Sequence, residues 1–245
     1  MYGDDVRAQA AELHAAGMSI AAVHRRLNVS RAAIRQWLIR PSPARSVHER
    51  CFVCRGTPCA EGAQYTYLLG QYLGDGYLVT RARVPKLRIA CADAYPAIAT
   101  EVDRAMMTLS GNRVSITRGI GCSDHASYWM HWPCLLPQHG PGKKHERRIV
   151  LADWQRAIVE EHPWSLIRGL IHSDGCRVIN RVVVRGKTYE YPRYFFSNES
   201  ADIQAILTIA LDRVGVRWRN NRGNTVSIAR RAGVARMDEH VGPKR

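Results

Sequence analysis

The sequence predicts an α+β protein in which a small all-helical module precedes two similar mixed halves. Three observations predict it. A nine-residue pattern occurs twice, an order of helical and strand-like stretches repeats after each copy, and the first forty residues carry three short amphipathic stretches. The expected organisation is a three-helix module at 1–40, a linker at 41–62, a first half at 63–150 and a second at 151–245.

In the front module, Val6, Ala10, Leu13 and Ala16 form one apolar stripe that Gly17 closes. Ser19 is placed to cap a helix carrying Ile20, Val23 and Leu27. Asn28-Val29-Ser30 reads as a tight turn, and Ser30 caps a third helix with Ile34, Trp37 and Leu38 inward. Short helix, three-residue turn, short helix is the helix-turn-helix arrangement. The third helix turns Arg31, Ala32, Arg35, Gln36 and Ile39 outward. Arginine grips guanine or phosphate and glutamine matches adenine in the major groove, so Arg31, Arg35 and Gln36 are candidate DNA-binding residues.

The linker opens with Arg40-Pro41-Ser42-Pro43-Ala44-Arg45, a stiff extended run in which Pro41 disfavours helix at the residue before it. It continues through His48, Cys51, Cys54 and Cys59. Cys-x2-Cys is a common zinc half-site, so these four are candidate Zn²⁺ ligands, with Cys134, His139 and His145 as more distant ones. Unpaired thiols in a linker are the other reading.

In the first half a helix spans about 63–74. Strand-like stretches follow at Tyr77–Arg83 and Lys86–Cys91, with Val84-Pro85 as the turn. A helix from Tyr95 to Leu109 places Ile98, Val102, Ala105, Met106 and Leu109 on one face, and Ser110-Gly111-Asn112 stops it. A second hairpin uses Arg113–Arg118 and Ala126–Trp132. A basic, irregular stretch from Pro133 to Arg148 leads to a helix at Leu151–Glu161. The second half repeats the order, with strands Cys176–Val184 and Tyr189–Ser197 around Arg185-Gly186-Lys187, then a helix Ala201–Val214. Strands Arg217–Asn220 and Thr225–Ala229 and a short terminal helix complete it.

The repeated pattern carries the chemistry. Its copies are Leu68-Leu69-Gly70-Gln71-Tyr72-Leu73-Gly74-Asp75-Gly76 and Ile167-Arg168-Gly169-Leu170-Ile171-His172-Ser173-Asp174-Gly175. Gly70 and Gly74, like Gly169 and Ser173, stand four apart, just over one helical turn, so each pair makes a smooth stripe that another backbone can approach. Each copy ends in Asp-Gly at a helix C-terminus, where the helix dipole disfavours a carboxylate. If the two helices cross along their stripes, Asp75 and Asp174 emerge side by side and need a divalent cation or a shared proton.

At these residues the chain resembles the LAGLIDADG homing endonuclease family in its single-chain, two-motif form. The resemblance covers about residues 63–245, and the 99 residues from Asp75 to Asp174 (174 minus 75) suit one half of that fold. It implies two pseudo-symmetric αββαββα halves meeting at the motif helices, a monomer with an internal pseudo-two-fold, and catalytic Mg²⁺ held by Asp75 and Asp174. The family usually places a basic residue, often lysine, on the last hairpin strand near the metals. Rough alignment offers His131 or Trp132 in the first half and Arg230 or Arg231 in the second, with no lysine at either place. His131 and Arg230 are therefore candidate catalytic residues beside the two aspartates.

Charge agrees with an anionic polymer as partner. The formal net charge is +15, far outside what a metabolic enzyme ordinarily carries. No eighteen-residue apolar run and no signal-peptide pattern is present, so double-stranded DNA is expected rather than a membrane, in a cytoplasmic, nucleoid-associated protein. Seven cysteines without an even framework argue against structural disulfides. Arg81 with Arg83, Lys86 with Arg88, Arg177 with Arg181, and Arg217 with Arg219 recur at even spacing, which sets each pair on one face of a strand. With Lys187 at a hairpin tip, they are the candidate DNA contacts. The functional expectation is a sequence-specific, Mg²⁺-dependent DNA endonuclease. The alternatives are a DNA-binding regulator that kept the fold without cleavage, and an RNA binder using the same basic strands.

Overall fold

Residues 4–39, 51–221 and 223–244 are described by a computed structural model. Arg40–Arg45 and His48 lie outside them. The chain divides into two units, residues 1–49 and 50–245.

Among its described residues the first unit has three helices, α1 (Asp4–Ala15), α2 (Ile20–Leu27) and α3 (Arg31–Ile39). Ser19 Oγ accepts from the Ala22 amide and Ser30 Oγ from the Ala33 amide, both at 3.2 Å, so each helix start is capped by the residue expected to do it. Asn28 takes the left-handed conformation (φ 53°) that stops α2. Ala10, Val23, Val29 and Ile34 are buried together and hold the helices around a small core.

The second unit begins with α4 (Phe52–Arg55) and α5 (Gly62–Gly74). Then come β1 (Gly76–Val79), β2 (Lys86–Ala92), α6 (Pro96–Ser110), β3 (Val114–Arg118), β4 (Cys122–Tyr128) and α7 (Trp132–Leu135). After a single 3₁₀ turn, α8 (Asp153–Glu161) leads into α9 (Pro163–Asp174), β5 (Gly175–Val184), β6 (Lys187–Ser197), α10 (Ala201–Arg213), β7 (Arg219–Asn220), β8 (Thr225–Ile228) and α11 (Arg231–His240). The sheets are antiparallel with the same order, β1-β2-β4-β3 and β5-β6-β8-β7, so one topology is built twice. The α+β fold of two αββαββα halves behind a helix-turn-helix is what the sequence predicts. One apolar core runs through both halves, and α5 packs along α9 at its centre.

Two strands end earlier than expected. β1 stops at Val79, paired with Lys86, because Pro85 brings no N–H to a ladder. Arg81 and Arg83 therefore stand exposed in the loop, not on a strand. β4 ends at Tyr128, not Trp132. Burial of Trp132, whose Nε1 donates to the Ser127 carbonyl at 3.0 Å, turns the chain into α7 and takes His131 off the hairpin. In the second half β7 starts at Arg219, leaving Arg217 before it.

The halves differ in their first hairpin. β5 and β6 pair at ten successive positions, from Gly175 with Phe196 to Val184 with Lys187. Arg185 and Gly186, both at positive φ (50° and 78°), close them in a two-residue turn. The first half's β1 offers only four residues. The long hairpin leaves Ile179, Val182, Val183, Tyr189 and Tyr191 exposed. Among the described residues, no helix is long and apolar enough to cross a membrane.

Candidate functional site

The site starts from the crossing of α5 and α9. A Cβ at Gly70 would stand 2.7 Å from both the Leu166 carbonyl oxygen and the Leu170 nitrogen, and one at Gly169 would overlap the Tyr67 carbonyl. Backbone lies on backbone there, which only glycine allows. The helices stay together to their last turns, since a Cβ at Gly74 would overlap Ser173 and lie 3.0 Å from Asp174 Oδ2. The Asp174 carboxylate thus lies against the backbone that carries Asp75.

Asp75 is the C-cap of α5, its amide donating to the Gln71 carbonyl at 3.0 Å, and Asp174 is the last residue of α9. Asp174 is half-buried, and Asp75 is the more exposed of the two. Partial desolvation by the packing around it, and then the neighbouring charge of Asp174, pushes the Asp75 carboxyl up to about 6, while Lys244 and Lys144 act in the opposite direction. Burial also raises Asp174, opposed by the Asn198 side chain, which donates to Oδ2 at 2.6 Å, and by both lysines.

Those lysines are the residues the sequence reading missed. Lys144 Nζ donates to the carbonyls of Tyr72, Leu73 (2.9 Å) and Gly74 (2.6 Å), the open end of α5. Lys244 Nζ donates to the Ser173 carbonyl at 2.7 Å, the end of α9. An ammonium group at a helix C-terminus satisfies orphan carbonyls and offsets the negative end of the dipole. Burial lowers Lys144 to about 8 even though both aspartates favour its charged form, and burial lowers Lys244 as well. The expectation of a lysine-free site is therefore corrected. The lysines come not from the last hairpin strands but from the segment after each. A signal existed, because each follows a Gly-Pro step (Gly140-Pro141, Gly242-Pro243), and each follows its aspartate by nearly the same interval: 69 residues (144 minus 75) and 70 (244 minus 174).

Beside Asp174 opens a hollow of about 400 Å³ lined by Lys143, Lys144, His145, Asn198 and Asn224 among others. It sets carboxylate, amide and cationic groups around one solvent-reached space.

The two other candidate catalytic residues lie elsewhere. His131 Nδ1 sits 3.3 Å from Cys54 Sγ and 3.6 Å from Cys134 Sγ. That cluster lies near Tyr65, in the first turn of α5, whose ring meets Phe52 edge-on. At 1.5 Å per residue, Asp75 is about 15 Å further along the helix. Arg230 is exposed and lines a different hollow, of about 640 Å³, with Arg193, Arg217, Arg219 and Trp218. Among the candidate zinc ligands, Cys51 and Cys54 converge with His131 and Cys134, whereas Cys59 is not one of that group. All seven cysteines are free thiols.

The basic residues divide by their partners. Arg177 grips Asp238 with both arms of its guanidinium (2.6 and 2.9 Å), Arg181 pairs with Glu190 (2.8 Å), and Arg88 with Asp124 (3.2 Å). Lys86 Nζ lies 5.6 Å from the centre of the Tyr128 ring. Arg81, Lys187, Arg217 and Arg219 are exposed. In the first unit Arg31, Arg35 and Gln36 are exposed along α3.

Residues 3–40 match the family model of a homeodomain-like domain. No curated protein matches the chain. Among solved structures, the chain is similar to I-DmoI in complex with DNA and Mn (13% identical, TM-score 0.46, covering 74% of this chain and 97% of that one). It is also similar to the LAGLIDADG meganuclease I-AabMI bound to uncleaved DNA (11%, TM-score 0.46, 72% and 84%) and to the K262A mutant of I-SmaMI (9%, TM-score 0.46, 70% and 81%). The second unit thus has two helix–hairpin–helix–hairpin–helix halves, joined where paired small-residue helices cross, each of those helices ending in an aspartate.

Proposed function

We propose that this protein binds double-stranded DNA and cleaves its phosphodiester backbone with divalent cations, of which Mg²⁺ is the expected one, held by Asp75 and Asp174. One observation carries the reading: two carboxylates from separate halves stand at the paired ends of crossing helices, close enough that the charge of Asp174 raises the Asp75 carboxyl. Hard oxygen donors paired in this way fit a divalent cation. Such a cation, when bound, activates water and stabilises the leaving oxygen of a phosphodiester.

The chain's own groups prepare the site. Lys144 and Lys244 neutralise the two helix ends, which keeps the aspartates competent to ionise where the dipoles oppose it. Asn198 holds one oxygen of Asp174, fixing which way the carboxylate turns. Exposed Arg81, Lys187, Arg217 and Arg219 provide phosphate contacts, and Arg31, Arg35 and Gln36 of the first unit add affinity through linkage.

A second reading has its own observation. Lys144 spends three donors on three carbonyls, the whole complement of an ammonium group, and so has none left for a phosphate. That favours a DNA-binding regulator that reads long sites without cutting. The experiment selects bound genomic fragments and then incubates them with Mg²⁺ and either the wild type or the Asp75→Asn, Asp174→Asn double variant. Cleavage by the wild type alone, with binding intact in both, supports the nuclease; binding without cleavage by either supports the regulator.

A further inference from the structure

Two one-turn helices, far apart in the chain, present side chains in the same way. Cys51 is the N-cap of α4 and Cys54 lies three residues on; His131 is the N-cap of α7 and Cys134 lies three residues on. A spacing of three sets both side chains of each pair on one face. The helices pack together, and all four ligand atoms lie within 4.8 Å of one another. The closer separations are 3.3 Å (Cys54 Sγ to His131 Nδ1), 3.6 Å (Cys54 to Cys134) and 3.6 Å (Cys134 to His131 Nδ1). Zn–S bonds of about 2.3 Å and Zn–N bonds of about 2.0 Å at tetrahedral angles place sulfurs about 3.8 Å apart and sulfur about 3.5 Å from nitrogen. A disulfide would need about 2.05 Å.

We propose that Cys51, Cys54, His131 and Cys134 hold one Zn²⁺ in a closed Cys₃His site that fastens the start of the second unit to the end of its first half. Thiolate and imidazole ligands select zinc over magnesium, and four protein ligands leave no position for substrate, so the ion is structural. Its neighbours say what it holds. Phe52 meets the rings of Tyr65 (5.7 Å) and Trp154 (5.5 Å) edge-on. Tyr65 Oη donates to the Leu135 carbonyl at 2.9 Å and accepts from Gln155 Nε2 at 2.7 Å. The clip thereby ties α4, α5, α7 and α8 together at the end of α5 remote from Asp75. This proposal does not rest on the nuclease reading.

The test is metal analysis of the full chain, purified reduced and without chelator and then exposed to excess Zn²⁺. One zinc per chain is expected in the wild type, in Cys59→Ser and in the Asp75→Asn, Asp174→Asn variant, with loss in Cys54→Ser and Cys134→Ser. Because a ligand variant that misfolds would also lose metal, Co²⁺ is exchanged into the wild type as a second measurement. Thiolate-to-cobalt charge-transfer absorption with tetrahedral d–d bands is expected. Folded wild type without zinc, full zinc retained by Cys134→Ser, iron in place of zinc, or a cobalt spectrum lacking thiolate bands would each overturn the assignment.

Discussion

Lys144 Nζ donates to the carbonyl of Gly74 at 2.6 Å, so the residue immediately before Asp75 is tied to a cation from the far end of the same half. Lys244 does the same for Ser173, the residue before Asp174. Each aspartate thus sits at a helix end whose negative charge is already met, and this local balance underlies the first two predictions.

Replacing Lys144 by Met removes charged hydrogen bonds to the α5 carbonyls and leaves the two neighbouring carboxylates beside an uncompensated helix end. A loss of about 3 kcal/mol in unfolding free energy is expected by denaturant titration. Lys143→Met, at an exposed neighbour, should shift it by less than about 0.5 kcal/mol.

Asp75 makes the metal-free protein pH-sensitive. Its carboxyl is raised from 3.8 to about 6, so between those values the folded state binds more proton than the unfolded chain, and stability falls as pH rises through the window. Above about pH 6 the full cost is present. At pH 7 without divalent cation, Asp75→Asn should be more stable than wild type, by no more than about 1 kcal/mol because water reaches the side chain and screens it. Added Ca²⁺ or Mg²⁺ should raise the melting temperature of the wild type but not of the variant, and the effect should fade below about pH 6. Equal pH profiles for the two proteins would refute this account.

Gly169→Ala should disrupt the joining of the halves, because the new methyl would overlap the Tyr67 carbonyl, which belongs to backbone and cannot swing aside. A cost above about 3 kcal/mol, or failure of the second unit to fold, is expected. Native-state hydrogen exchange in α5 and α9 reads it.

Binding to DNA should weaken steeply with salt, with a log–log slope of several units. Lys187→Ala or Arg219→Ala should lower that slope by about one each. Arg177→Ala should change it little, since Asp238 already holds that guanidinium. Fluorescence anisotropy across a salt series distinguishes the two behaviours.

Deleting residues 1–40 should lower affinity and shorten the nuclease-protection footprint, leaving the second unit folded, since its core is built without the first. An unchanged footprint would remove the front module from the DNA-binding reading.

Periodicity and spacing sufficed for the architecture. Small residues four apart told where two helices cross, and apolar alternation located most strands. Ser19, Asn28 and Ser30 marked the turns of the first unit, since caps and left-handed stops are local events written in neighbouring residues. What the fold alone decided are meetings between residues far apart in the chain. Lys144 reaches Tyr72 across 72 residues, Arg177 reaches Asp238 across 61, and His131 reaches Cys54 across 77. A loop lysine carries no periodic mark of the helix end it will cap, and an arginine on a strand carries none of the acid that will claim it. Local sequence sets backbone preference and burial pattern, but a side chain's charge partner depends on which distant segments the closed core brings within hydrogen-bonding reach.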